Sequence, residues 1–147
     1  MDPLMAKKII YGILFATFSG LILFSSFRSG ADHSAAGGRI VGWLNDVFFY
    51  GRLSEYEKNA IVGVGAKFLG HFSLFLGAGL FGFLWLSQFD IGEKKRLLIV
   101  LGYGLLLSFL GEFIQLFSEG RFATPGDSLI DFSGFCFTII LTKIKCP

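Results

Sequence analysis

Four apolar runs, each near the length of a membrane-crossing helix, dominate the chain and restrict what it can become. A helix needs about 20 apolar residues to cross the roughly 30 Å hydrocarbon layer. Ile9 to Phe27, Ile61 to Phe89 and Leu97 to Phe117 reach that length, and Ser128 to Leu141 does so with its flanks. The composition agrees: 53% hydrophobic and 17% aromatic against 16% charged residues, with a mean hydropathy of +0.66. The expected fold is an all-α membrane protein, one domain over residues 1–147, with transmembrane helices at about 8–27, 58–88, 94–117 and 125–143. The first run follows Lys7 and Lys8 as a signal peptide would. Its apolar core is too long for one, and Arg28 follows it with no convincing cleavage site, so it reads as an anchor that stays.

Caps sharpen these boundaries. Ser54-Glu55-Tyr56-Glu57 is a capping-box pattern opening the second helix, and Asp90-Ile91-Gly92-Glu93 resembles another before the third. Thr124-Pro125-Gly126-Asp127 offers an N-cap, a proline at the first helical position and an early acid, which starts the fourth. With four crossings, Lys7 and Lys8, then Lys94, Lys95 and Arg96, then Lys143 and Lys145 fall on one side. That side is expected to be cytoplasmic, with both termini. The 28–58 connection then lies outside. In it Ile40, Val41, Leu44, Val47 and Phe48 recur at helical spacing with Asn45 and Asp46 opposite, either as a short helix on the outer leaflet or as a segment packed over the bundle.

A net charge of +2, in short clusters beside apolar runs, gives no nucleic-acid footprint. Cys136 and Cys146 show neither a disulfide framework nor a metal spacing, and no metal or cofactor is assigned.

The polar residues within the apolar runs carry the functional signal. In the second helix Gly63, Ala66, Gly70, Ser73 and Gly77 form a stripe of small residues, with Lys67 and His71 beside it. In the third, Gly104, Ser108, Gly111 and Gln115 share a face and Glu112 adjoins it; in the fourth, Asp127, Asp131, Gly134 and Thr138 do so. Small stripes let helices approach closely, within one chain or between copies in a homo-oligomer. All three helices place their charges near the outer leaflet. Ionisable groups inside a membrane are tolerated where they face one another, a wet cleft or a ligand. The expectation is an outward-facing polar pocket between the second, third and fourth helices, built from Lys67, His71, Glu112, Gln115, Arg121, Asp127 and Asp131. Duller roles stay open for each: a cap for Asp127, snorkelling for Lys67, a solvated loop charge for Arg121, a helix–helix hydrogen bond for Gln115, and a structural network for the rest.

In order and spacing, "KFLGHF" at Lys67 to Phe72, "EFIQ" at Glu112 to Gln115, Gly120-Arg121 and "DSLIDFSG" at Asp127 to Gly134 resemble the VanZ-like membrane proteins. Upstream, Ser34 matches one serine of that family's outer loop, whereas Gly37 or Gly38 stands where a second is often found. Leu74 and Gly111 occupy positions that are often acidic, which removes up to two carboxylates and weakens a metal or acid–base reading. The resemblance implies a bacterial envelope protein linked to low-level resistance to the glycopeptide teicoplanin.

Three uses of the pocket compete. It binds an anionic or glycosylated lipid-linked envelope molecule, or a lipid-tailed antibiotic, with Lys67, Arg121 and His71 meeting anions and the carboxylates and Gln115 fixing sugar or amide groups. It is an enzyme with His71 or Glu112 as general base, conceivably with a divalent metal on Asp127, Asp131 and Glu112, although no nucleophile, phosphate-loop or metal signature is present. Or it is a scaffold that holds the helices together.

Overall fold

The computed structural model describes residues 2–28, 30–61, 67–118, 120 and 125–143, and within them the chain is helical with no strand. In order the helices are α1 (Pro3–Phe27), α2 (Gly30–Phe48), α3 (Glu55–Ala60), α4 (Lys67–Leu86), α5 (Glu93–Gln115) and α6 (Pro125–Lys143). α1 starts earlier than expected because Asp2 caps it, accepting from the Leu4 amide at 3.0 Å, and Pro3 takes the first turn. The Ser54–Glu57 capping box forms with both bonds in place and opens α3. The Asp90 cap does not form: α5 begins after Gly92, with no side-chain cap. Pro125 opens α6 with Asp127 in its first turn, while Thr124, its expected cap, lies outside the described residues.

Hydrogen bonds from Ser54 hold the Glu57 carboxyl below its ordinary value. A depressed folded value means that the charge-assisted half of the cap is present above the ordinary carboxylate range and is lost as pH falls through the folded value. Amide exchange in α3 is therefore expected to be faster in Glu57→Gln than in the wild type at neutral pH, the two converging in acid.

Residue pairings fix the helix directions. Gly12, Phe15 and Phe18 of α1 face Trp85, Gly82 and Gly77 of α4, so α1 and α4 are antiparallel. His71 pairs with Asp131 and Leu76 with Thr138, at separations of 60 and 62, so α4 and α6 are parallel. Gly104 and Ser108 of α5 meet Phe135 and Ser128 of α6, which makes those two antiparallel. These four helices thus form an up-down-up-down bundle. One end gathers the starts of α1 and α5 and the ends of α4 and α6, with Lys7, Lys8, Lys94, Lys95 and Arg96; it is called the basic end here. The ends of α1 and α5 and the starts of α4 and α6 form the opposite, polar end.

The core joins Ile22, Phe75, Ala78, Val100, Leu107 and Phe135. Close approach depends on glycine. A Cβ on Gly104 would enter the Phe135 ring, and one on Gly134 would lie 2.7 Å from the Phe72 carbonyl oxygen and 2.9 Å from the Leu76 nitrogen. The small stripes of α5 and α6 are the faces they bury. Of the stripe expected on α4, Gly77 packs against α1, whereas Gly70 meets nothing, Ser73 is exposed, and Gly63 and Ala66 lie outside the described residues. α4 also packs through Gly82 against α1 and through Gly79 against α6, because its glycines occupy several faces and spacing alone does not choose among them.

Beside this apolar core the bundle buries several polar side chains and exposes many large apolar ones. Ser19, Ser26, Ser108, Glu112, Gln115, Asp131 and Thr138 are buried, while Ile13, Phe24, Leu98, Leu106, Phe109, Phe113, Leu129 and Ile140 face outward. Among the described residues two helices, α1 and α5, are long and apolar enough to cross a membrane, and α4 carries a shorter apolar stretch, Gly70–Leu86.

The 28–58 connection is more helical than expected. α2 runs nineteen residues, and Asn45, expected on its outer polar face, is 2% exposed. Asn45 Oδ1 accepts from the Leu53 amide at 3.0 Å and its carbonyl accepts from Gly51, which holds the turn where Tyr50 and Gly51 adopt positive φ. Ile40, Trp43, Val47 and Phe48 point outward instead.

Candidate functional site

Each helix of the bundle contributes polar groups to the polar end. On α4, His71 lies one turn beyond Lys67, and its Nδ1 is 2.9 Å from Asp131 Oδ1 on α6. This hydrogen bond between the two side chains fixes the orientation of the imidazole ring. Asp131 is 2% exposed, with Gly134 beside it on the same α6 face and pressed against α4. The close α4–α6 approach that Gly134 permits is what brings imidazole and carboxylate within bonding distance.

On α5, Gln115 Nε2 donates to Glu112 Oε1 at 3.3 Å, one turn apart on the buried face; Gln115 is 2% and Glu112 7% exposed. Ser108, one turn deeper, donates to the Ser128 carbonyl of α6 at 3.0 Å. The α5–α6 register puts Glu112 level with the start of α6, where Asp127 is half-buried, and His71–Asp131 a turn further in. The polar groups therefore form an outer layer of Glu112, Gln115 and Asp127 over an inner layer of His71, Asp131 and Ser108.

α1 joins this end through residues that sequence reasoning did not single out. Ser26 is buried against Gly111, whose added Cβ would lie 3.2 Å from its hydroxyl, and the Ser26 carbonyl accepts from Ser118 at 2.9 Å. Ser19, Ile22 and Ser26 are the buried residues of α1, and their helical spacing was the available signal. Such interhelical bonds contribute about 0.6 kcal/mol each in a membrane.

Of the seven expected site residues, the structure places His71, Glu112, Gln115, Asp127 and Asp131 at the polar end; the Lys67 side chain and all of Arg121 lie outside the described residues, as does the Ser34 side chain. Among the described residues no three His, Cys, Asp or Glu side chains are placed to share a metal ion, so Asp127, Asp131 and Glu112 do not make such a group. Of the residues the structure does place, Glu112, Gln115 and Asp131 are buried and His71 and Asp127 half-buried.

Fold and site together define an all-helical bundle with an apolar exterior and a buried polar cluster toward one end. Comparison with protein-family models, with curated proteins and with solved structures finds no match.

Proposed function

We propose that the chain is an integral membrane protein crossing the bacterial cytoplasmic membrane four times, with its termini and basic end in the cytoplasm. Its polar end binds an anionic or glycosylated lipid-linked envelope molecule, or a lipoglycopeptide, and so contributes to teicoplanin-type resistance as the VanZ-like motifs imply. One observation carries this reading: His71 and Asp131 are paired inside a bundle whose surface is apolar. A hydrogen bond to a buried carboxyl group adds little net stability once its desolvation is counted, and here small residues already supply close packing. Polar groups retained at such a site are better explained by a ligand. The alternating helix directions support the topology, since they collect Lys7, Lys8, Lys94, Lys95 and Arg96 at one end without reference to hydropathy.

The His71–Asp131 bond also favours a second reading, an enzyme acting on an envelope lipid head group. A carboxylate on Nδ1 sets the tautomer that leaves Nε2 as the basic nitrogen of a general base. Turnover of a head group by the purified protein, lost in His71→Gln, would select this over binding.

In a chain with Cys136 and Cys146 replaced by Ser, an impermeant thiol reagent is expected to label Tyr56→Cys in intact cells and Lys94→Cys only after lysis. Both positions are exposed. The reverse pattern would overturn the topology.

A further inference from the structure

The basic end holds a feature that the polar cluster does not use. Between the helices lies a cavity of about 150 Å³ whose exposed wall is entirely apolar, formed by Phe15 of α1, Trp85 and Leu86 of α4, Ile99 and Tyr103 of α5, and Phe135 of α6. An apolar cavity of this order stays dry and accepts a benzene-sized hydrocarbon. Ile99 lines the cavity and is also exposed, so its side chain adjoins both the cavity and the apolar exterior.

Cations stand at the basic-end side of that cavity, on the faces that line it. Arg96 precedes Ile99 and Tyr103 on one face of α5, and Lys8 precedes Gly12 and Phe15 on one face of α1. The Arg96 guanidinium lies 5.2 Å from the Phe83 ring centre and donates through Nη2 to the Ile91 carbonyl, while its Nε is buried with no hydrogen-bond partner. Lys8 Nζ lies 5.0 Å from the centre of the Phe89 ring, which stacks edge-on against Trp85 in the cavity wall. Among the described residues neither cation is in an ion pair. Asp2, Asp90 and Glu93 are the acids of this end, against Lys7, Lys8, Lys94, Lys95 and Arg96.

We propose that this end is a binding site for an anionic phospholipid, with one acyl chain entering the cavity and the phosphate held between Lys8 and Arg96. The cavity selects a lipid over a free anion, and the excess of cations at this end selects an anionic head group over a zwitterionic one. The cytoplasmic leaflet, where the topology puts this end, is the one in which juxtamembrane basic residues meet anionic lipid. The inference rests on that membrane placement and not on what the polar cluster binds.

Trp85 provides the readout, because Trp43→Phe leaves it as the sole tryptophan. The full-length Trp43→Phe protein in detergent is titrated with phosphatidylglycerol brominated on its acyl chains, and separately with phosphatidylcholine carrying the same chains. Phosphatidylglycerol is expected to quench Trp85 at a mole fraction about 25-fold lower, or about fivefold per cation. Lys8→Gln with Arg96→Gln should abolish that preference, and each single substitution should reduce it about fivefold, which keeps the test usable if the double variant does not fold. Equal quenching by the two lipids, a preference unchanged in the variants, or relief of quenching by millimolar inorganic phosphate would each overturn the proposal. Release of the protein from membranes by alkaline carbonate would instead overturn the membrane placement.

Discussion

Gly134→Ala is expected to be among the most damaging single substitutions in the chain, costing about 3 kcal/mol or more of bundle stability. The added Cβ would meet the Phe72 carbonyl oxygen at 2.7 Å, the Leu76 nitrogen at 2.9 Å and the Phe75 Cβ at 3.0 Å. Two of those obstacles are backbone, so no rotamer change removes the clash and α4 and α6 must separate along their length. The same separation would pull His71 from Asp131, one turn away on the same face. Gly102→Ala is the matched control, because nothing lies within 4 Å of its added Cβ. Removing a helical glycine there should be neutral or stabilise by up to about 1 kcal/mol. Melting of the two variants in mild detergent checks the contrast, and equal melting temperatures would mean that α4 and α6 do not meet at Gly134.

The second large effect concerns Asp131, where two substitutions should divide stability from function. Asp131→Ala removes the hydrogen-bond partner of His71, and leaving such a group unsatisfied costs about 1–3 kcal/mol on top of the cavity left by the truncated side chain. Asp131→Asn keeps the side-chain shape and an oxygen within reach of His71, so its cost is expected near about 1 kcal/mol. If the carboxylate serves a ligand, both variants lose ligand retention while only the alanine variant melts early. Early melting of both, by similar amounts, would return the cluster to a structural role.

How much of this was legible beforehand differs from helix to helix. On α5 Gly104, Ser108, Gly111 and Gln115 recur at helical spacing on one face, and they identified the buried side correctly. On α4 glycine recurs on several faces, and the partner that selects Gly77, Gly79 and Gly82 over Gly70 is a matter of tertiary packing. Asn45 misled for a related reason. An amide reads as solvent-facing by polarity, yet its side chain fastens the turn at Leu53 and is buried in doing so. At Asp90 the motif fitted a cap, but Gly92 is the residue that turns into α5. The agreement in depth of His71, Glu112 and Asp131 could be read from helix polarity; that His71 bonds Asp131 depends on the parallel α4–α6 register, which leaves no trace in either helix alone.

The central claim is that the buried polar end exists to hold a ligand. Its most direct test is mass spectrometry of the molecules that co-purify with the wild-type protein and with Asp131→Asn/Glu112→Gln, both extracted gently from cells grown with a teicoplanin-type lipoglycopeptide. The account predicts a lipid-linked envelope molecule or the lipoglycopeptide itself retained by the wild type and absent from the folded double variant. Identical sets of retained molecules in the two preparations would contradict it.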